Sequence, residues 1–281
     1  VTGEDIQSSI IAAEVARRMT FVILTGGIDL SVGSIVGLTG ALSAGVLRTT
    51  DNILLAVFVA VMVGVLCGMV NGFFVSYCGI PAFIATLGMM TLLRGCVLVY
   101  TRGSPIAVKN AVYKFIGKGS FLGVPLPIVL VIIFFLLGHY VLTQTPFGRA
   151  VYALGGSREA ARLAGIRIRV TEWMVYTING LMCSVAGIVL TSRLASAQST
   201  GGEGIEMDAI AAVILGGTSL SGGSGFILPT VVGAIIMGII DNLLTLMKID
   251  PHATNIVKGI VILLAVLADK KVNELSARAE V

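Results

Sequence analysis

Gly26-Gly27-Ile28-Asp29-Leu30-Ser31-Val32-Gly33-Ser34 and Gly216-Gly217-Thr218-Ser219-Leu220-Ser221-Gly222-Gly223-Ser224 are near-copies, 190 residues apart and identical at six of nine positions. Apolar residues lead into both, as Phe21–Leu24 and Ala211–Leu215. Glycine supplies 35 of the 281 residues, so part of the match comes from abundance, but the Leu-Ser spacing agrees as well. Repeated pieces of irregular, Gly/Ser-rich backbone between hydrophobic segments are what a duplicated transport fold leaves in its sequence.

The rest of the chain sets the class. It is 56% apolar and only 12% charged, with a mean hydropathy of +0.99. Soluble domains carry about twice that charge fraction, and amphipathic helices need polar faces that long stretches here lack. A soluble globular protein is excluded. The four cysteines, Cys67, Cys78, Cys96 and Cys183, lie in or at the ends of apolar segments without a CxxC and read as buried structural thiols. Val1–Ser9 is polar and acidic, unlike a signal peptide.

A helix needs about 20 apolar residues to cross the hydrocarbon. Ile53–Tyr77, Ile80–Tyr100, Leu126–Leu142, Trp173–Leu190, Phe226–Met247 and Ala253–Ala268 qualify, and Ile10–Leu24, Ser31–Leu47 and Glu206–Leu220 are shorter or Gly-interrupted. The predicted fold is therefore an all-α polytopic membrane protein with about nine transmembrane segments, broken helices and an internal repeat. The breaks belong at the centre of the bundle, where protein covers the freed backbone groups. The connection Thr143–Thr171 carries Arg149, Arg158, Arg162, Arg167 and Arg169, and the tail after Ala268 carries Lys270, Lys271 and Arg278. The positive-inside rule puts both in the cytoplasm. Arg102, Lys109, Lys114 and Lys118 in the outer loop 101–125 run against that rule. The same count leaves residue 1 outside, and Glu14, Arg17 and Arg18 stand mid-span in Ile10–Leu24. Residues 1–18 are thus read either as a Glu14–Arg18 paired span or as an atypical polar end before a span starting near Met19. The permease region is 19–271, with a cytoplasmic loop at 143–171 and a tail at 272–281.

Catalytic chemistry finds little support. His139 and His252 have no triad-like neighbours, no GxxxxGK[ST] is present, and the glycines of Gly26–Gly33 lack dinucleotide-site spacing. Charges inside spans are the functional candidates: Asp29, Arg94, Asp208 and Asp241. Asp29 reads as an N-cap for the helix starting near Ser31 or as a solute contact. Arg94 is expected to pair with a carboxylate. Gly26, Gly27, Asp29, Ser31, Gly216, Gly217, Ser219 and Ser221 are the candidate translocation-path residues. The stretch from Gly155 to Ile166 encodes a helix of about two turns in the basic loop, with Ser157 as N-cap, Glu159 at its positive end and Gly165 as C′ residue. By physics alone that helix is a surface connector or a docking element.

Thr25–Ser34, Pro81-Ala82-Phe83-Ile84-Ala85-Thr86-Leu87-Gly88, Gly148-Arg149 with Tyr152-Ala153-Leu154-Gly155-Gly156, Ala161-Arg162-Leu163-Ala164-Gly165-Ile166, and Asp208–Thr218 resemble the permease subunits of bacterial sugar ABC importers of the ribose/xylose/arabinose and autoinducer-2 type. The resemblance runs from Met19 to Lys271, motifs in order. It implies a multi-pass protein of the bacterial inner membrane that moves a monosaccharide or similar solute by alternating access. The implied partners are two ABC ATPase subunits, a second permease copy or homologue, a periplasmic or lipoprotein sugar-binding protein, and membrane lipid, with no nucleic acid. Such a chain is no enzyme and holds no cofactor, ATP and Mg residing on the partner ATPase. Ser157, Glu159, Ala160, Ala161, Leu163, Ala164, Gly165 and Ile166 fall where the family has its ATPase-coupling helix. The family usually has ten helices and a cytoplasmic N-terminus; here a first helix looks absent, and Glu14-Val15-Ala16-Arg17-Arg18 replaces apolar sequence, which points to a truncated chain. A secondary transporter or channel is the alternative, and a non-transporting membrane scaffold a third class.

Overall fold

The computed structural model describes residues 19–121 and 123–279, so the segment 1–18 with Glu14, Arg17 and Arg18 lies outside the described residues. Helical residues 19–24, here α1, lead into the first break. There follow α2 (Val32–Thr50), α3 (Ile53–Ser76), α4 (Ala82–Thr101), α5 (Ala111–Lys118), α6 (Leu126–Gln144), α7 (Pro146–Gly156), α8 (Arg158–Leu163), α9 (Ile168–Leu194), α10 (Ile205–Leu215), α11 (Ile227–Leu246) and α12 (Pro251–Ala279). Six of these, α2, α3, α4, α6, α9 and α11, are long and apolar enough to cross a bilayer, and Ala253–Leu267 of α12 is a shorter apolar stretch. The chain is a multi-pass membrane protein. The expected span Glu206–Leu220 is corrected: α10 stops at Leu215 after 11 residues, because Gly216 and Gly217 end it.

Helices α2 and α9 form the centre, with 78% and 61% of their apolar windows buried, against 11% for α6. What lets them pack is a run of glycines. Gly64, Gly68 and Gly72 recur every fourth residue and so share one face of α3. A Cβ on Gly64 would lie 2.6 Å from the Gly180 carbonyl of α9, and one on Gly72 would lie 2.9 Å from Trp173. Gly180 and Gly187 answer from α9, the latter against Thr39 and the backbone of Val36 and Gly40 in α2. In lipid there is no hydrophobic drive to bring helices together, so close backbone approach through small residues supplies the contact. As the α3 numbers fall the α9 numbers rise, which makes the pair antiparallel.

On one side of the bundle two short strands, β1 (Ile106–Ala107) and β4 (Ser196–Ala197), pair antiparallel and join the segments after α4 and α9. Between them in sequence, β2 (Ser120–Phe121) and β3 (Val124–Pro125) form a hairpin. Asn110 Nδ2 donates to Asp51 at 2.9 Å, so the α2–α3 turn belongs to this side too. Burial pushes the Tyr113 phenol up to about 12, and its hydroxyl lies 2.8 Å from Ser43 of α2. The side chain thus fixes α5 to the bundle. Of the cysteines, Cys67 and Cys183 are buried as expected, but Cys78 and Cys96 are exposed, because they lie on turn and helix surfaces away from the centre.

Gly68→Val should force α3 away from Tyr176 and Thr177 of α9 and cost about 1–3 kcal/mol or more. Gly88→Val on α4, where a Cβ meets nothing within 4 Å, should leave stability near that of the unsubstituted chain. The thermal midpoints of the two purified variants in detergent measure the difference.

Candidate translocation and coupling site

The two near-copies fold alike at their starts. Gly26 N–H donates to the Ile23 carbonyl at 2.8 Å and Gly27 N–H to Val22 at 3.1 Å. Gly217 N–H donates to Ile214 at 2.8 Å and Thr218 N–H to Val213 at 3.2 Å. Both pairs are the i−3 and i−5 bonds that close a helix through a left-handed residue, with φ +75 at Gly26 and +74 at Gly217. The equivalent residues are therefore Val22-Ile23-Leu24-Thr25-Gly26 and Val213-Ile214-Leu215-Gly216-Gly217, one residue out of step with the Leu-Ser match. The second copy is shorter by one residue between cap and Leu-Ser. Ser219 stands where Asp29 does, two residues before the Ser of each Leu-Ser pair, and its Oγ accepts the Ser221 N–H at 3.3 Å, so the extra residue of the first copy falls between Gly26 and Asp29.

Asp29 is 1% exposed. Its Oδ1 accepts the Ser31 N–H at 2.9 Å and the Ser31 hydroxyl at 2.6 Å, while its Oδ2 accepts Asn179 Nδ2 of α9 at 2.7 Å. Asn71 Nδ2 of α3 in turn donates to Ser31 Oγ at 2.7 Å. The N-cap position of α2 is Ser31 itself, with no side-chain cap bond. Asp29 serves the helix start from two residues upstream and ties it to α3 and α9. Three buried polar atoms here have no hydrogen-bond partner: Asn71 Oδ1, Asn179 Oδ1 and Tyr176 Oη. Gly27 makes room for the last, since a Cβ there would lie 2.7 Å from it.

The breaks touch each other. Gly223 N–H donates to the Leu24 carbonyl at 3.0 Å, and a Cβ on Gly222 would lie 2.8 Å from the Gly26 nitrogen. Helix α7 seats on this junction. A Cβ on Gly155 would run into the Leu24 carbonyl and the Gly223 nitrogen, and one on Gly223 would lie 2.6 Å from Gly156. Tyr152 Oη donates to the Gly225 carbonyl at 2.9 Å. Burial raises that phenol above its ordinary value, so it stays a donor. Among the path candidates, Gly27, Asp29, Ser31, Gly216 and Ser219 are buried, and Gly26, Gly217 and Ser221 reach the surface.

Immediately after α7 comes α8. Ser157 Oγ accepts the Ala160 N–H at 3.2 Å, and Gly165, at φ +78, closes the helix with Gly165 N–H to Arg162 and Ile166 N–H to Ala161, both at 3.0 Å. The caps are those read from the sequence, around six helical residues rather than two full turns. Arg158 reaches Glu172 of α9 at 3.0 Å. Ser157, Glu159, Ala160, Leu163, Ala164 and Gly165 are exposed and Ile166 is half-buried, but Ala161 is 2% exposed. Ala161 therefore faces its own chain and cannot be a docking contact.

Charges inside the bundle pair differently from expectation. Lys258 of α12, unremarked in the sequence, places its Nζ 2.8 Å from Asp208 of α10 and 3.0 Å from Asp241 of α11. Among the described residues Arg94 forms no salt bridge: its Nη1 donates to the Gly201 carbonyl at 3.0 Å, while its charge acts on the nearby Glu206. The signal for Lys258 was its position within an otherwise apolar span, where an ammonium requires a partner.

Asp29→Leu should strand the Ser31 N–H, the Ser31 hydroxyl and Asn179 Nδ2, at about 1–3 kcal/mol each. Asp29→Asn should cost much less, because Asn179 can turn its unpaired Oδ1 toward the new amide. Thermal midpoints in detergent distinguish the two; equal losses would show that hydrogen bonding is not what Asp29 supplies.

Three comparisons bear on this geometry. Residues 8–266 match the family model described as branched-chain amino acid transport system / permease component. The ribose import permease protein RbsC of Escherichia coli K12 is 48% identical, with 95% of this chain and 84% of the relative covered. Its Bacillus subtilis namesake is also 48% identical, covering 92% of this chain and 80% of the relative. The xylose transport system permease protein XylH of E. coli K12 is 33% identical, with 94% and 83% covered. No solved structure matches. With the family model spanning nearly all of it, the chain belongs to the branched-chain amino acid transport system permease family.

Proposed function

We propose that the chain is the membrane-spanning subunit of an ATP-driven ABC importer that carries a monosaccharide or sugar-like solute across the bacterial inner membrane into the cytoplasm by alternating access. The observation that carries the reading is continuity: α8 is joined through α7 to a junction where both helix breaks meet on Gly155 and Gly156. The ribose and xylose permeases similar to it favour a sugar as cargo.

The partner ATPase subunits bind ATP and Mg and supply the hydrolysis. A second permease copy or homologue completes the membrane path, and a periplasmic or lipoprotein sugar-binding protein delivers the solute from the side opposite α8. On this chain, Leu163 is 84% exposed at the end of α8 and is the apolar anchor for the ATPase groove. Glu159, Ala160, Ala164 and Gly165 surround it. Displacement of α8 moves α7, and the contact of Gly155 with Leu24 and Gly223 passes that movement to both breaks. The breaks are where the bundle rearranges, since their hinge glycines absorb φ/ψ change. The unpaired Asn71, Asn179 and Tyr176 atoms beside Asp29 fit a site with a second arrangement of partners.

Leu163→Glu should abolish co-purification with the ATPase subunit and ATP-dependent sugar uptake while leaving the thermal midpoint of the isolated chain unchanged. Ala161→Glu should instead lower the midpoint, because the carboxylate enters a buried position. Normal ATPase association by Leu163→Glu would refute the docking role. Uptake by vesicles lacking the ATPase would favour a secondary transporter or channel.

A further inference from the structure

Away from the breaks, a cleft of about 430 Å³ opens between α4 and the start of α10. Met90, Thr91, Arg94 and Leu98 line it from α4, and Glu203 and Glu206 line it from the other side. The segment before α10 reaches this place by descending along α2. A Cβ on Gly37 would lie 2.5 Å from the Gly201 carbonyl, and one on Gly33 would strike the Gly202 carbonyl and Glu206 Oε2. Arg94 secures the descent through the Gly201 carbonyl. Helix α10 therefore starts inside the bundle and runs its 11 residues, about 16 Å at 1.5 Å per residue, down to the second break.

The cleft is a built polar site. Glu206 is 9% exposed; its Oε1 accepts the Gly204 N–H at 3.2 Å, and its Oε2 has no hydrogen-bond partner. Among the described residues, Arg94 donates to the Gly201 carbonyl alone, which leaves the rest of a five-donor guanidinium for a ligand. Glu206 Oε2 lies against Gly33, and a turn of the side chain away from Gly33 brings it to a ligand, whereas the spare Arg94 donors already line the opening. One cation facing two carboxylates repels an anionic solute. Adjacent hydroxyls suit both groups, since they donate to the carboxylate and accept from the guanidinium. Met90 and Leu98 provide apolar surface for C–H faces, and the volume lies in the range of small-molecule sites. Half-helix ends within a bundle are where transport folds place their solute sites.

We propose that this cleft is a subsite for the travelling solute, in which Arg94 and Glu206 hold a neutral polyhydroxy compound of monosaccharide size. The inference rests on the importer reading above. It places binding at the opposite end of α10 from the second break, so that occupancy and rearrangement act on the two ends of one short helix. Gly33 of the first near-copy is the residue that admits Glu206.

The test uses the complete complex with ATPase and solute-binding protein in liposomes, with radiolabelled ribose as probe. Glu206→Gln and Arg94→Gln should each lower ATP-driven uptake about tenfold at saturating loaded binding protein, the loss of one charge-assisted hydrogen bond, while subunit association is retained. Because Arg94 also supports Gly201, a second measurement avoids its substitution. In a Cys78→Ser, Cys96→Ser background, Thr91→Cys in the complex should react with a membrane-impermeant maleimide several-fold more slowly in millimolar ribose than without it. Unchanged uptake by Glu206→Gln, or a labelling rate indifferent to ribose, overturns the site. An unsubstituted complex that moves no ribose yet shows the same protection would instead sink the importer reading and leave this cleft a sugar site.

Discussion

Backbone meeting backbone, with no Cβ between, is the contact on which this bundle depends. Gly64, Gly68 and Gly72 of α3 meet Trp173, Tyr176 and Gly180 of α9, and Gly187 of α9 meets Gly40 of α2. Water drives none of this inside a bilayer, so the energy comes from dispersion at short range and from polar groups that prefer one another to lipid. The same absence of side chains recurs wherever the fold does something irregular. It seats α7 on the breaks at Gly155 and lets the Gly201–Gly204 segment descend along α2. Packing and function draw on one device.

A broken helix in a membrane frees backbone groups that lipid cannot satisfy. Each near-copy meets that demand first with the i−3 and i−5 bonds across its left-handed glycine. Thereafter they diverge. In the first copy the two oxygens of Asp29 fasten the start of α2 to α9 and, through Ser31, to Asn71 of α3. In the second copy Ser219 takes that place, its Oγ accepting the Ser221 N–H at 3.3 Å. From outside, the Leu24 carbonyl accepts from Gly223 and Tyr152 donates at Gly225.

Apolar run length decided the helices, and that is why α3, α4, α6, α9 and α11 were legible within a few residues. The caps of α8 were legible for the same local reason: Ser157 and Gly165 act on neighbours in sequence. What escaped the sequence depends on distance. Which face of α8 turns inward is set by tertiary packing, so Ala161 was read as available when it is buried. Partners for Arg94, Asp208 and Asp241 lie on other elements of the bundle, and Lys258 hid in a span because one charge does not spoil its hydropathy. The spacing of Gly64, Gly68 and Gly72 was visible, but only the facing α9 gave it meaning. The candidate path residues were chosen for irregular backbone; the cleft found here is lined by regular helix and a descending loop that no motif marked.

The difference between the two breaks has a mechanical consequence. A break fixed by a buried carboxylate to two flanking helices resists displacement, because moving it strands three donors at once. The second break, whose residues 216–224 contain no carboxylate, meets its surroundings through Gly223 N–H on the Leu24 carbonyl and Tyr152 on the Gly225 carbonyl, with Gly217, Ser221 and Ser224 at the surface. Both holds on the second break involve the side from which α8 acts: Gly223 packs on α7, and Tyr152 belongs to α7 itself. A shift of α7 should therefore reach both breaks, through Leu24 and through Gly223, and displace the second further because the first is tied to α9 and α3. Helix α10 would travel with the second break, and its far end carries Glu206. The duplicated motif thus sets a carboxylate that reaches across to α9 in one copy, Asp29, where the other copy sets a serine, Ser219.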